Sequence, residues 1–152
     1  MWKIICILTL LYNLKIKPMA KKKKETWVIP TYKGIQFSAY LISSEGRLVS
    51  KMVSRNKKEK PLFDNYRLVK SDKNYNHGYE MVHPYDSSGK RYYLLVHRLV
   101  FESFVCPISK GMVIDHIDGD KRNNSLTNLQ MMTPSENLQK YHKVDKLKKK
   151  TK

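Results

Sequence analysis

Residues Met112 to Asn137 constrain this chain more than any other stretch. Met112-Val113-Ile114-Asp115-His116-Ile117-Asp118-Gly119-Asp120 runs from an apolar segment into an acidic turn that contains glycine. Asn123-Asn124 and Leu126-Thr127-Asn128-Leu129 follow, then Thr133-Pro134-Ser135-Glu136-Asn137. The order reads as strand, turn-rich loop, strand and helix. Thr133 as N-cap, Pro134 at the first helical position and Glu136 three residues after the cap mark where that helix starts. Asp115 and His116 stand side by side where the first strand ends. Asn128 comes just before the second strand, and Asn137 falls in the first turn of the helix. Eleven residues separate His116 from Asn128, and eight separate Asn128 from Asn137.

That set of side chains suits phosphodiester hydrolysis. The reaction needs a deprotonated water, neutralisation of the charge on the pentacoordinate transition state, and a stabilised leaving oxygen. A neutral histidine performs the first task near pH 7, and a divalent metal on oxygen ligands performs the other two. His116 is the candidate general base. Asp115 offers a hard anionic oxygen and Asn137 a neutral amide oxygen. Two protein ligands leave room for water and phosphate, as Mg²⁺ prefers. Each residue alone has a plainer reading: Asp-His as loop chemistry, Asn128 as a turn residue bonded to backbone, Asn137 as a solvent-facing helix residue. Their joint spacing, behind Val96-His97-Arg98-Leu99-Val100, favours the catalytic reading. One geometric condition attaches to it. Neighbours on an ideal strand face opposite ways, so Asp115 and His116 serve one site only if the strand twists or ends there.

The series resembles the ββα-metal active site of the HNH endonucleases, and in particular the branch found among phage and intron homing endonucleases. There a helix beginning Val-His-Arg-Leu-Val precedes the motif, as Val96 to Val100 does here. The close likeness covers about residues 93 to 142, and a weaker one runs back to Trp27 through Ile29-Pro30, Ile42-Ser43 and Gly46-Arg47-Leu48-Val49-Ser50. The resemblance implies Asp115 and Asn137 as metal ligands, His116 as base, and Asn128 as the brace of the loop that carries the base. It departs at Met131-Met132, where relatives place an aromatic residue. It implies a Mg²⁺- or Mn²⁺-dependent endonuclease of phage homing type acting on double-stranded DNA. A monomer with one such site is expected to nick one strand, inside the host cell. A non-catalytic DNA-binding protein that retains the fold is the alternative.

Charge points the same way. Lys and Arg number 30 against 13 Asp and Glu, a formal net charge of +17. So large an excess calls for a polyanionic partner, nucleic acid or an anionic surface. DNA is the expected partner and no membrane partner is expected. Lys121 and Arg122 in the loop between the two active-site strands are candidate phosphate contacts. So are Arg47, Lys90 and Arg91 at hairpin turns, where a two-stranded ribbon can approach a groove. Cys6 and Cys106 form no Cys-x-x-Cys pair, so no zinc site is expected. Cys106 reads as a small buried residue.

The expected class is α+β, an antiparallel β-rich N-terminal region followed by a helix and the ββα unit. Residues 1–18 read as a leader or a misannotated start ahead of Met19. The apolar run Ile4 to Tyr12 is shorter than the roughly 20 residues a membrane span needs. An exported protein would require that segment to be a working signal. A basic tail spans 19–26, a β-rich DNA-binding region 27–95, the helix plus nuclease unit 96–146, and a second basic tail 147–152. Within 27–95, a hairpin turns at Ser43 to Gly46, and another at Asp86 to Lys90 joins Tyr79–His83 to Arg91–Leu95. Ser54 to Lys60 reads as a linker, Tyr66 to Val69 as a short strand, and Ser71 to Gly78 as turn. Val96, Leu99, Val100 and Phe104 fall at helical spacing, and Pro107 closes that helix. His97 at its start is expected to pack rather than to catalyse.

Overall fold

The computed structural model describes residues 24–51, 66–75 and 78–150, with side chains throughout except 74–75 and 143–150. The leader, Cys6, the 54–60 linker and His77 lie outside the described residues. Short antiparallel strands come first, then two helices that frame the strand–loop–strand unit. The class is α+β, as the sequence implied.

Strands β1 (Trp27–Val28), β4 (Tyr40–Ser43), β5 (Leu48–Lys51) and β6 (Tyr66–Leu68) form one sheet in the order β1-β4-β5-β6. The hairpin expected at Ser43 to Gly46 is the centre of this sheet, with Leu41 opposite Val49 and Ile42 opposite Leu48. Strands β2 (Thr31–Tyr32) and β3 (Ile35–Gln36) make a small hairpin beside it. A third sheet joins β7 (Asp72–Tyr75), β8 (Tyr79–Val82) and β9 (Leu94–Leu95). The β8–β9 connection turns on Asp86, whose carboxylate accepts from Ser88 N at 2.9 Å and Lys90 N at 3.0 Å.

One expectation fails in this region. Ser71 to Gly78 reads as turn, yet Asp72–Tyr75 is a strand, paired through Asp72 opposite Met81 and Tyr75 opposite Tyr79. Strand formation here rests on a neighbour with free ladder positions rather than on local propensity. The polar residues that suggested a turn suit an edge strand, where Asp72 and Lys73 remain exposed.

Helix α1 (Val96–Phe104) follows β9 without a break and has no side-chain N-cap. Its position is set by burial instead: Val96, Leu99, Val100 and Phe101 are all buried. Its outer face holds the β2–β3 hairpin, where Thr31 N donates to Ser103 Oγ at 3.0 Å and Lys33 N to Glu102 Oε2 at 2.7 Å. Cys106, just beyond, is half-buried rather than buried. Phe37 just before β4, Ile42 and Leu48 of the first sheet, Val82 and Leu94 of the third, the α1 residues, and Ile114 and Leu129 of the last hairpin form one hydrophobic cluster. A single core therefore crosses the boundary expected at 95/96.

The C-terminal unit consists of β10 (Val113–His116), a 3₁₀ turn (Leu126–Asn128), β11 (Leu129–Met132) and α2 (Pro134–Lys150). In β10 and β11, Ile114 lies opposite Met131, Asp115 opposite Gln130 and His116 opposite Leu129. The α2 start carries the expected capping box. Glu136 N donates to Thr133 Oγ1 at 3.2 Å, and Thr133 N donates back to Glu136 Oε2 at 2.8 Å. No helix among the described residues is long and apolar enough to cross a membrane.

Candidate active site

The loop between β10 and β11 is built from Asx turns closed by one asparagine. Gly119 N donates to His116 O at 3.0 Å with Gly119 at φ +79°, so the chain reverses immediately after the histidine. Asp118 Oδ1 accepts from Asp120 N at 2.8 Å, and Asp120 Oδ1 from Arg122 N at 2.9 Å. Asn128 ties both ends of the loop. Its Oδ1 accepts from Asp118 N at 3.1 Å, while its Nδ2 donates to Asp118 Oδ1 at 2.9 Å and to Asn123 O at 2.8 Å. Hydrogen bonds from Asn123 and then Asn128 hold the Asp118 carboxyl below the usual range. Asn128 thus uses all its polar atoms on the segment that follows His116.

His116 is buried at 4% exposure. Its ring lies 5.0 Å from that of His97 and 6.0 Å from that of Tyr79, and Nε2 is 3.4 Å from Asn124 Oδ1. Burial lowers the His116 pKa below its ordinary value. The Asn124 hydrogen bond and the carboxylates of Asp115, Asp118 and Asp120 oppose that shift. The imidazole is accordingly neutral at pH 7, the form a general base requires. His97 is also buried and stacks on Tyr79 at 5.0 Å. Burial, then the charges of His116 and Arg98, lower its pKa to about 3. Among the described residues its buried Nδ1 has no hydrogen-bond partner, which fits packing and not proton transfer.

Asp115 has a different set of partners. Its Oδ2 accepts from Gln130 Nε2 at 2.7 Å across the β10–β11 pair and from Lys140 Nζ at 2.6 Å. The same Lys140 ammonium donates to His116 O at 2.7 Å. Burial alternates along β10, with Ile114 and His116 buried and Val113 and Asp115 half-buried. The two catalytic candidates therefore leave the strand on different faces, and the strand ends at His116. Lys140 joins them, since it bonds the carboxylate of one and the carbonyl of the other. Asn137 lies three residues before Lys140 and so shares its helix face. It is half-buried, and its side chain makes no hydrogen bond among the described residues.

This donor set fits a hard divalent cation. The hydrogen bonds to Asp115 fall on Oδ2, and the cation already held there is a side-chain ammonium. An anionic oxygen, a backbone carbonyl and a nearby amide oxygen match the ligands Mg²⁺ takes.

The candidate DNA contacts fall in two groups. Lys121 lies beside the site, with Nζ 4.8 Å from the Tyr79 ring centroid, and Arg122 follows it in the same loop. Arg47, Lys90 and Arg91 sit at the hairpins over aromatic rings: Arg47 over Trp27 at 5.4 Å, Lys90 over Tyr92 and Arg91 over Tyr93 both at 5.2 Å. Arg47 is also paired with Glu25, its Nε 2.9 Å from Oε1.

Sequence reasoning did not assign roles to Asn124, Lys140, Gln130, Tyr79 or Glu80. Asn124 was in view within the Asn-Asn pair. Lys140 was readable as the residue one helical turn beyond Asn137. Glu80 carries no sequence signal, because only the tertiary fold brings it to the site.

A helix laid against a strand–loop–strand unit, with Asp-His closing its first strand, makes a ββα unit. Residues 94–139 match the HNH endonuclease family. Similar proteins include the SPbeta prophage-derived putative HNH homing endonuclease YosQ of Bacillus subtilis, 50% identical over 40% of this chain and 35% of its own. Protein 3.8 of Escherichia phage T7 is 49% identical over 27% of this chain and 34% of its own. An uncharacterized HNH endonuclease, L245 of Acanthamoeba polyphaga mimivirus, is 31% identical over 65% of this chain and 26% of its own. The chain spans about a third or less of the length of these relatives. Among solved structures, the HNH homing endonuclease I-HmuI, described for DNA binding and cleavage, aligns with a TM-score of 0.59 and 28% identity. That alignment covers 79% of this chain and 59% of the other, so the likeness extends upstream of the family segment.

Proposed function

We propose that this chain is a metal-dependent endonuclease that hydrolyses phosphodiester bonds of double-stranded DNA. In this reading it is of phage homing type, works inside the host cell and nicks one strand as a monomer. One observation carries the reading: Asp115 and the His116 carbonyl converge on one point beside a buried, neutral histidine, where both hold the Lys140 ammonium. His116 takes the proton from the attacking water. Asp115 and Asn137 would hold Mg²⁺ or Mn²⁺, and the bound ion would supply neutralisation of the transition-state charge and stabilisation of the leaving oxygen. Asn128 keeps the loop after His116 rigid, so the base does not reorient between turnovers. Lys121 and Arg122 hold phosphate beside the site, while Arg47, Lys90 and Arg91 fix the duplex along the upstream hairpins.

The non-catalytic DNA-binding alternative draws on the Lys140–Asp115 contact, which neutralises the carboxylate a metal would use. Supercoiled plasmid and a large phage-type DNA, each with Mg²⁺, Mn²⁺ or EDTA, separate the two. The nuclease reading expects metal-dependent nicking that His116→Ala lowers by about 10²–10⁴-fold, the usual worth of a general base. Tight binding with no cutting of either DNA by the wild-type chain would favour the alternative.

A further inference from the structure

We infer that Glu80, on β8 and outside the family segment, is a positioning residue that sets the tautomer of His116 through Asn124. The inference names what orients the base of the proposed nuclease, and only its rate effect depends on that reading.

The argument is one of donors and acceptors. A carboxylate accepts and does not donate. Glu80 Oε1 accepts from Ser71 Oγ at 2.8 Å, and Oε2 accepts from Asn124 Nδ2 at 2.7 Å. The Arg122 carbonyl, a second pure acceptor, receives the same Nδ2 at 3.3 Å. Two acceptors on one side of the amide place its NH₂ group there, so Asn124 Oδ1 faces His116 Nε2, at 3.4 Å. An amide oxygen has only lone pairs, and the ring nitrogen facing it must bring the hydrogen. His116 therefore carries its proton on Nε2 and its lone pair on Nδ1. Turning the Asn124 amide over would aim its oxygen at two other oxygens.

Asn124 has little freedom to turn. It is 3% exposed. The turn of the first hairpin lies against it, so close that a Cβ on Gly46 would come within 2.6 Å of Asn124 Cβ. Leu126 N, two residues on, donates to Ser44 O of that turn at 2.7 Å. Tyr79, the neighbour of Glu80, packs on the His97 and His116 rings. The Glu80 end of this relay comes from the upstream sheets and lies outside residues 94–139.

The test uses the full chain labelled with ¹⁵N-histidine and long-range ¹⁵N–¹H correlation spectra at neutral pH. Wild type should show His116 as a single Nε2–H tautomer. In Glu80→Gln the side chain keeps its size, but its amide can present either edge to Asn124. His116 should then become a mixture of tautomers. If Glu80→Ala fails to fold, Glu80→Gln decides the matter alone. In plasmid nicking, Glu80→Gln should lower kcat about 10–100-fold, the usual cost of losing a residue that orients a site histidine. KM for DNA should stay unchanged. An Nδ1–H tautomer in wild type would overturn the inference, as would a wild-type tautomer and rate in folded Glu80→Gln. A wild-type chain that cuts no DNA, but shows the Nε2–H tautomer and loses it in Glu80→Gln, would sink the nuclease reading and uphold the relay.

Discussion

His97 and His116 lie 5.0 Å apart, yet burial prepares them for different work. His97 has a pKa lowered from 6.5 to about 3. Between those values the unfolded chain binds a proton that the folded chain does not. Stability is therefore complete above pH 6.5 and declines as pH falls, by up to about 1.4 kcal/mol per pH unit. Asp118 and Glu136 also have lowered values, against ordinary ones of 3.8 and 4.5. Their contribution is present above those ordinary values and is lost as pH falls through the lower folded ones, in a more acidic window. Thermal unfolding of wild type and His97→Gln between pH 4.5 and 7 should show the wild-type Tm falling faster on acidification. Parallel curves would mean that His97 takes up its proton without unfolding. Asp115, His116, Asn128 and Asn137 were legible as candidates because their spacing is a one-dimensional pattern. Asn124, Gln130 and Glu80 were not, because their roles come from hydrogen bonds across the fold.

The turn between β4 and β5 shows how an element far from the motif bears on it. Gly46 has φ +83°, a conformation that costs an L-residue about 1–2 kcal/mol. A Cβ there would also strike Asn124 at 2.6 Å. Gly46→Ala should lower Tm by at least about 2 °C and loosen the His116 loop as well. Calorimetry checks the first effect, and increased proteolysis between Asp118 and Asn128 checks the second. An unchanged Tm would show that the turn does not press on Asn124. The hairpin was readable from its turn residues, and the Thr133–Glu136 capping box marked the α2 start because capping is local chemistry. Strand β7 was missed because an edge strand of Asp, Lys and Asn exists only through its pairing with β8.

Across the whole molecule, positive charge and aromatic rings coincide. Arg47 with Trp27, Lys90 with Tyr92, Arg91 with Tyr93 and Lys121 with Tyr79 put cations over rings on the hairpins and at the site. Such pairs hold long side chains in place, and in the proposed reading those side chains then meet phosphate at less entropic cost than free ones. With a net charge of +17 and about 6–10 phosphates contacted, DNA affinity should fall roughly 10³–10⁵-fold between 50 and 200 mM salt. A fluorescence anisotropy titration series measures the slope, and a flat response would exclude phosphate contacts as the main binding term.

The sequence by itself determined the strand–loop–strand–helix order, the two hairpins, the charge that calls for a polyanion, and the Asp-His, Asn, Asn series. All of these depend on neighbours in the chain or on fixed intervals along it. Tertiary structure alone decided that Lys140 bridges Asp115 and the His116 carbonyl. It also decided that Glu80 meets Asn124 from 44 residues upstream, and that one core joins the upstream sheets to the strand–loop–strand–helix unit. Those contacts arise when apolar faces are buried together, and chain order does not specify which polar groups that burial brings within reach.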